Sequence, residues 1–216
     1  AWLELGDLEQ ARRDSQEALR MLRANGDRVI EGVTLCNLSD LALMQGDARS
    51  ALALARSALD ILVATGARDR EVDALLKLGL AELALGHHAA ARQAFEQMRR
   101  NALEIESAWQ HDATAGLAQV ALAEGDVAIA LREAEAVLAH ASSGGAIVGA
   151  VKPRLIELTC HRVLARAGDP RATAWLTSAH EALQAQAATI PDPVLRQGFL
   201  ENIPHHREIV AAWASW

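Results

Sequence analysis

Residues 78–98 read LGLAELALGHHAAARQAFEQM. The first part is an apolar run of leucine and alanine, both strong helix formers. Gly86 interrupts the run, and a second apolar series follows at Ala91, Phe95 and Met98, with spacings that place the three side chains on one helix face. The segment therefore predicts two helices joined by a tight turn at Gly86.

This turn recurs along the chain at intervals of 40, 40, 39 and 43 residues. Glycine suits the left-handed backbone that follows a helix, and a neighbouring Asp can cap the next helix. A constant interval of about 40 residues indicates an internal repeat, each unit being a helix–turn–helix. The turn glycines are Gly6, Gly46, Gly86, Gly125 and Gly168.

Small or apolar residues recur at fixed distances after each turn. An alanine follows about five positions later, and a second apolar residue follows seven positions after that, which is about two helical turns. Small side chains on this face predict tight docking of the second helix on the first, and stacking of units that cannot bury an apolar face alone. The pairs are Ala11/Ala18, Ala51/Ala58, Ala91/Met98, Ala130/Val137 and Ala172/Ala179.

The repeat resembles the tetratricopeptide repeat, which places Leu-Gly in its first helix, Gly-Asp at the turn and spaced alanines in its second helix. Leu78-Gly79 followed by Gly86 is the clearest match. The resemblance covers residues 1–185, and the first repeat is truncated because Gly6 aligns with the turn glycine. It implies an all-α fold, a right-handed superhelix (α-solenoid) of about five stacked helix–turn–helix repeats.

Two features depart from the ordinary repeat. The period is near 40 rather than about 34 residues, and the proline that usually ends a repeat is absent. Long helices with links such as Gly26-Asp27-Arg28 resemble the arrays of large bacterial LuxR-type regulators with an ATPase core and of multidomain adenylate cyclases. Residues 186–216, broken by Pro191 and Pro193, are similar to the ending of those regulators and predict capping helices of the same domain.

Composition narrows the class of protein. With 216 residues, 51% hydrophobic, and no Gly/Ser- or Pro-rich linker, we expect one domain. The net charge of −7, with acidic and basic residues interleaved, argues against direct nucleic-acid binding. No apolar run is long enough to span a membrane. Cys36 and Cys160, far apart in apolar stretches, predict reduced core thiols, and we expect a cytoplasmic protein without a signal peptide.

No motif predicts catalysis, and we expect no cofactor and no metal. The histidine pairs at 87–88 and 205–206 project about 100° apart on a helix, so they do not converge on one ion and are expected to be solvated. The glycine-rich segment 144–149 does not predict a phosphate-binding loop, because Lys152 is followed by Pro153 and no Ser/Thr is adjacent. It is interpreted as a flexible loop between repeats.

The resemblance implies that the first helix of each repeat lines a concave groove. We therefore expect a non-catalytic protein–protein interaction or sensor scaffold, a fragment of a larger cytoplasmic bacterial signalling or transcription regulator. Its partner would be a protein, a peptide or another domain of the parent chain. The groove residues would be Asn37, Asp40, Asp73, Lys77, Asp112, Gln119, Arg162 and Arg166.

Two alternatives stay open. In the first, the groove positions are the ordinary solvated positions of a scaffold. In the second, the groove receives a small-molecule or peptide effector, which would make this chain a receptor domain. Separately, the truncated first repeat leaves the apolar face of residues 1–20 without an upstream neighbour, which predicts a homodimer through that end.

Overall fold

The computed structural model describes residues 2–142 and 149–215, and over these residues the fold is all-α. The expected all-α solenoid is confirmed. The helices are α1 (Leu8–Asn25), α2 (Arg28–Met44), α3 (Ala48–Thr65), α4 (Arg68–Ala84), α5 (His88–Glu104), α6 (Gln110–Ala123), α7 (Val127–Ser142), α8 (Pro153–Arg166), α9 (Arg171–Ala188), α10 (Pro193–Glu201) and α11 (Pro204–Ala214).

Neighbouring helices pack as antiparallel hairpins, and the hairpins stack. Each of α2, α4, α6 and α8 pairs with the helix that follows it. The same four helices also contact one another in succession, α2 with α4, α4 with α6, and α6 with α8. They therefore form one continuous layer, the inner layer of the array, and α3, α5, α7 and α9 lie outside it.

The turns between paired helices have the predicted chemistry. Gly46 and Gly86 have φ of 79° and 76°, in the left-handed region that costs glycine little. The carboxylate of Asp47 then accepts the backbone N–H of Ser50 at 3.0 Å and caps α3. Asp7 and Asp126 cap α1 and α7 in the same way.

The spaced small residues pack between helices, as the repeat predicts. Ala51, Ala58 and Ala91 are fully buried. Phe95 of α5 fills the space over two inner-layer glycines, because a Cβ built on either Gly79 or Gly116 would lie 2.5 Å from its ring. Inner and outer helices therefore approach closely at these positions, and larger side chains there would displace Phe95.

The C-terminal helices fold back across the array. α11 packs on α8 and α9, and Phe199, Ile203 and Ile209 share a buried cluster with Leu158 and Leu176 of those helices. Leu5 and Met44 pack against the same cluster from the first repeats.

The two ends of the described chain meet at this point. The side-chain amide of Asn202 donates to the carbonyl oxygen of Gly6 at 2.9 Å. The backbones are so close that a Cβ on Gly6 would lie 2.2 Å from the carbonyl oxygen of Gly198. The C-terminal helices thus contact the N-terminal turn as well as the last repeat, which encloses part of the concave face.

Candidate functional site: a cavity on the concave face

A cavity of ≈ 680 Å³ lies between the concave face and the folded-back end of the chain. One side is formed by α1, α2 and α4. The other side is formed by residues 151–154, by α10 and α11, and by the N-terminal residues 2–4. Chain segments far apart in sequence therefore enclose one volume.

A cluster of four charged side chains forms the polar wall of the cavity. Lys77 of α4 lies with its Nζ 3.0 Å from Oδ2 of Asp40 and 3.1 Å from Oδ1 of Asp73. Lys152 places its Nζ 2.9 Å from the same Oδ2 of Asp40. One carboxylate oxygen of α2 is thus shared by two ammonium groups, one from α4 and one from the segment before α8.

Burial makes this cluster electrostatically strong. The Lys77 side chain is 4% exposed. Burial alone would lower the pKa of Lys77, but Asp40 and Asp73 outweigh it and hold that pKa well above its usual range. Burial alone would raise the pKa of Asp40, but Lys152 and Lys77 hold it well below its usual range. Lys77 and Asp40 are therefore both charged at neutral pH.

Asp112 of α6 anchors the segment that carries Lys152. Its two carboxylate oxygens accept the backbone N–H groups of Val151 and Lys152, each at 2.9 Å. Burial raises the pKa of Asp112 to about 6, although these hydrogen bonds and the nearby ammonium groups of Lys77 and Lys152 oppose the rise. Asp112 therefore holds the chain in place rather than facing a partner.

Two histidines of the C-terminal segment lie against the cavity, and the expectation that they are solvated is wrong. His206 is 6% exposed, and its Nδ1–H donates to the carbonyl oxygen of Phe199 at 2.8 Å. Burial lowers the pKa of His206 to about 4. His205 also lines the cavity, and burial together with the charge of Lys152 lowers its pKa well below the usual value. Both rings are neutral at pH 7.

The eight predicted groove residues separate into two groups. Asn37, Asp40, Asp73 and Lys77 line the cavity together, and Asn37 is exposed within it. The others lie elsewhere on the inner helices: Asp112 binds the 151–152 backbone, Gln119 donates to the Thr159 hydroxyl at 2.9 Å, Arg162 forms a two-bond ion pair with Glu208 of α11, and Arg166 is exposed at the end of α8.

Several lining residues were not predicted from the sequence. Lys152 comes from just after the segment expected to be a flexible loop, of which residues 144–148 lie outside the described part, and Arg154 is in the first turn of α8. The only local signal is Pro153, which starts α8 and so places Lys152 at a helix start. Pro204 likewise starts α11, and His205 and His206 directly follow it.

The two cysteines are buried and neither lines the cavity, although Cys36 lies behind the ionic wall against Asp73. Cys36 and Cys160 are free thiols, each 1% exposed. Burial raises the pKa of Cys160 to about 12 and that of Cys36 further, so the nucleophilic thiolate is disfavoured at both. Within residues 2–142 and 149–215, no group of three His, Cys, Asp or Glu side chains is placed to hold a metal ion.

Comparisons with known proteins agree with this architecture. Residues 3–64 match the family model of the tetratricopeptide repeat. No curated protein sequence matches the chain. Two solved structures of similar fold are of a putative kinesin light chain from Podosopora anserina, described as having nearly identical TPR-like repeats.

The first of these, a variant of that protein, has a TM-score of 0.56 at 18% identity, covering 84% of this chain and 94% of the other. The second has a TM-score of 0.51 at 17% identity, covering 84% of this chain and 98% of the other. At such identities the likeness concerns the fold alone.

Residues 3–64 are thus similar to the tetratricopeptide repeat, and the described chain has the fold of a TPR-like repeat array. Arrays of this class generally mediate protein–protein interactions and are typically non-catalytic scaffolds. Among the helices of the described residues, none combines the length and apolarity needed to cross a membrane.

Proposed function

We propose that this array is a non-catalytic interaction and sensor scaffold within a larger cytoplasmic bacterial signalling or transcription regulator. The period supports the long-helix type of repeat, because α2 to α5 each have 17 or 18 residues. The observation that carries the proposal is the concave face, where successive inner helices present polar side chains. These include Asn37 on α2, Asp73 on α4 and Gln119 on α6.

The partner in this proposal is a protein, a peptide or another domain of the parent chain. An inner surface with polar groups at regular intervals along stacked helices suits an extended peptide or a partner helix. To transmit a signal, the array must contact two states of its partner with different affinity, because a ligand shifts an equilibrium only by its differential binding.

Co-purification tests the scaffold proposal. The parent protein is purified with and without residues 1–216, and the proteins that travel with it are identified. Asn37→Arg introduces bulk and charge at an exposed position in the groove, and it is expected to remove any partner lost on deletion. Ser57→Arg, on the exposed side of α3, is the matched control and is expected to retain that partner. A partner set unchanged by the deletion would count against the scaffold proposal.

A second candidate function is a receptor for a small effector, and the cavity on the concave face favours it. Ligand pockets occupy roughly 300–1,000 Å³ and combine apolar walls with a few convergent polar groups. The ≈ 680 Å³ cavity has both kinds of lining. Thermal unfolding of the chain with a panel of metabolites is the test, and curves that do not move with any compound would count against a receptor.

The array and its end are proposed to form one domain, with repeats over 1–185 and capping helices over 186–216. Burial of Phe199 and Ile209 against α8 and α9 supports this division. Truncation after residue 185 is expected to expose that cluster and to lower the melting temperature. A truncated chain as stable as the full chain would contradict the proposal.

Self-association through the N-terminal end is also proposed. Met21 is 57% exposed, so apolar area remains on α1. Light scattering over a range of concentrations tests it, with Met21→Glu expected to restore a monomer. A monomer at all concentrations would refute a homodimer through α1.

A further inference from the structure

Four positions on one face of α1 recur in α3 and α5 at the period of 40 residues. In α3 and α5 the side chains at all of these positions are fully buried. In α1 the first of the four is 7% exposed, the other three are more exposed, and the first three line the cavity. A face that the array buries elsewhere is therefore left partly uncovered on α1. The four residues of α1 are Ala11, Ser15, Ala18 and Leu22; their equivalents are Ala51, Ala55, Ala58 and Leu62 in α3, and Ala91, Phe95, Met98 and Ala102 in α5.

In the following repeats this face is covered by the inner-layer helix that precedes it. The Ser39 hydroxyl of α2 donates to the carbonyl oxygen of Ala51 at 2.9 Å. A Cβ built on Gly32 of α2 would lie 2.7 Å from the Leu62 side chain, so α2 and α3 are in contact near both of their ends. Helix α4 packs on α5 in the same arrangement. Among the described residues no inner-layer helix stands before α1, and the cavity occupies that position.

The side of α2 that faces the cavity shows the same contrast. Asn37 is exposed in the cavity, whereas Lys77, its equivalent on α4, is 3% exposed and has its Nζ 3.0 Å from Oδ2 of Asp40 on α2. Leu41 also lines the cavity, and its equivalent Ala81 is fully buried in a cluster with residues of α2 and α3. The cavity is thus the place where one further inner-layer helix would contact both α1 and α2.

The residues before α1 have the hydrogen bonds with which an inner-layer helix ends. The backbone N–H of Asp7 donates to the carbonyl oxygen of Trp2 at 3.0 Å, and that of Gly6 donates to the carbonyl oxygen of Leu3 at 3.2 Å. The turn at Gly46, where α2 ends, has the same two hydrogen bonds at equivalent positions. These are the bonds of a helix C-terminal cap with a left-handed glycine, and Gly6 has φ of 75°. Trp2 and Leu3 also line the cavity.

We propose that the cavity receives an amphipathic helix of the parent chain, which leads directly into residues 2–5 and extends the inner layer beyond α2. This inference rests on the proposal of a larger parent chain and names one of its contacts. The helix presents small and apolar side chains to Ala11, Ala18 and Leu41, as α2 does to the next repeat. The chain already makes this type of contact from α2 to α4, from α4 to α6 and from α6 to α8. The helix and a small effector are alternative occupants of one volume.

The test extends the full chain by a copy of residues 26–40, fused directly before residue 1, so that each copied residue stands 40 positions before its original. The copies of Gly32 and Ser39 then face Leu22 and Ala11. Hydrogen exchange of the α1 amides, in reducing buffer, is the measurement. A control extension has the same residues in a shuffled order without the apolar periodicity. The α1 amides are expected to exchange at least about tenfold more slowly with the ordered extension than with the shuffled one, a difference of about 1.4 kcal/mol.

Variants locate the contact on α1. Ala18→Arg places a long charged side chain on the face that lines the cavity, and it is expected to remove the slowing of exchange in the extended chain. Gln16→Arg makes the same kind of change at an exposed position of α1 outside the cavity lining, and it is expected to retain the slowing. Both variants are also made in the chain without the extension, where circular dichroism verifies folding.

Three outcomes would overturn the inference. They are equal exchange of the α1 amides with the two extensions, slowed exchange that survives Ala18→Arg, and loss of folding on adding the ordered extension alone. A dimer in light scattering whose α1 amides are protected without any extension would assign this face to a second copy of the chain and overturn it as well. The co-purification experiment tests the scaffold separately: a partner lost on deletion, with no effect of the extension, would leave the scaffold without this helix.

Discussion

The ion pairs on the concave face and those on the outer surface both join a basic to an acidic side chain, but in very different surroundings. In the concave cluster the side chains of Lys77 and Asp40 are 4% and 11% exposed. In the pair between Arg92 of α5 and Glu124 at the end of α6, they are 35% and 33% exposed. The Arg92–Glu124 pair is therefore still solvated, whereas the Lys77–Asp40 pair is largely shielded from water.

The difference shows that location, not the number of ion pairs, sets what each contributes. A buried charge that loses its partner keeps its desolvation cost, which amounts to several kcal/mol. An exposed charge that loses its partner is solvated again, so the loss is small. The concave cluster is therefore the place where a single substitution has the largest effect on stability.

The largest effect is expected from Lys77→Met, which keeps approximate volume and removes the charge. Asp73 would then lose the ammonium group that neutralises it, and Asp40 would keep only Lys152. We expect the free energy of unfolding to fall by about 3–5 kcal/mol, measured by urea denaturation. A loss under about 1 kcal/mol would mean that water reaches this cluster and that the contrast between the two faces is wrong.

Lys152→Met is expected to lower the free energy of unfolding by less than Lys77→Met does, by about 1.5–3 kcal/mol, because Lys77 still pairs with Asp40. The same urea experiment measures it. The double variant Lys77→Met/Lys152→Met tests whether the two ammonium groups act on the same carboxylate, because both contact one oxygen of Asp40. A double-mutant cycle should therefore give an interaction free energy of about 0.5–3 kcal/mol. Strictly additive losses would contradict a shared carboxylate.

Asp112 predicts a pH dependence that exposed carboxylates do not share. Its pKa is raised from 3.8 to about 6 in the folded chain, so the folded state binds the proton more tightly than the unfolded state. This contribution to stability is fully present below pH 3.8 and is lost as the pH rises through about 6. The resulting loss of stability between about pH 4 and 7 amounts to about 2–3 kcal/mol.

Asp112→Asn isolates this effect, because other titrating groups cancel when the two proteins are compared at each pH. His206 titrates in the same window with the opposite sign, since its folded pKa is lowered to about 4. The stability of the wild type relative to Asp112→Asn should decrease by about 2–3 kcal/mol from about pH 4 to 7 in urea denaturation. Asp60→Asn controls for the change in net charge. A difference that is constant with pH would contradict the raised pKa.

Features set by local sequence were predictable. The turn glycines, the capping Asp47 and the spaced Ala51, Ala58 and Ala91 follow from helix geometry, which depends on residues a few positions apart. The resemblance to the tetratricopeptide repeat implied that Asn37, Asp40, Asp73 and Lys77 share one inner face, and these four line one cavity. In a regular repeat the same local pattern recurs along the chain, so it also indicates which residues of distant repeats occupy equivalent positions.

The rest depends on contacts between distant segments. Lys152 pairs with Asp40 across 112 residues, and Asn202 binds Gly6 across 196. Neither contact follows from a period of 40 residues, so the closure of the concave face and the burial of His206 were not foreseen. The polar groove residues were expected to face solvent or a partner, but the chain's own C-terminal part covers Asp40 and Lys77.

The smallest effect is expected on the outer surface, from Arg92→Ala. The pair with Glu124 joins α5 to the end of α6, but both side chains are about one-third exposed. Removing it should lower the free energy of unfolding by about 0.2–1 kcal/mol at low ionic strength. The loss should vanish in about 1 M NaCl, where the Debye length is about 3 Å.

Lys77→Met, measured in the same two salt concentrations, should keep most of its loss, because salt screens buried pairs much less. If Arg92→Ala were as costly as Lys77→Met, or if both losses vanished in salt, burial would not be what separates the two faces.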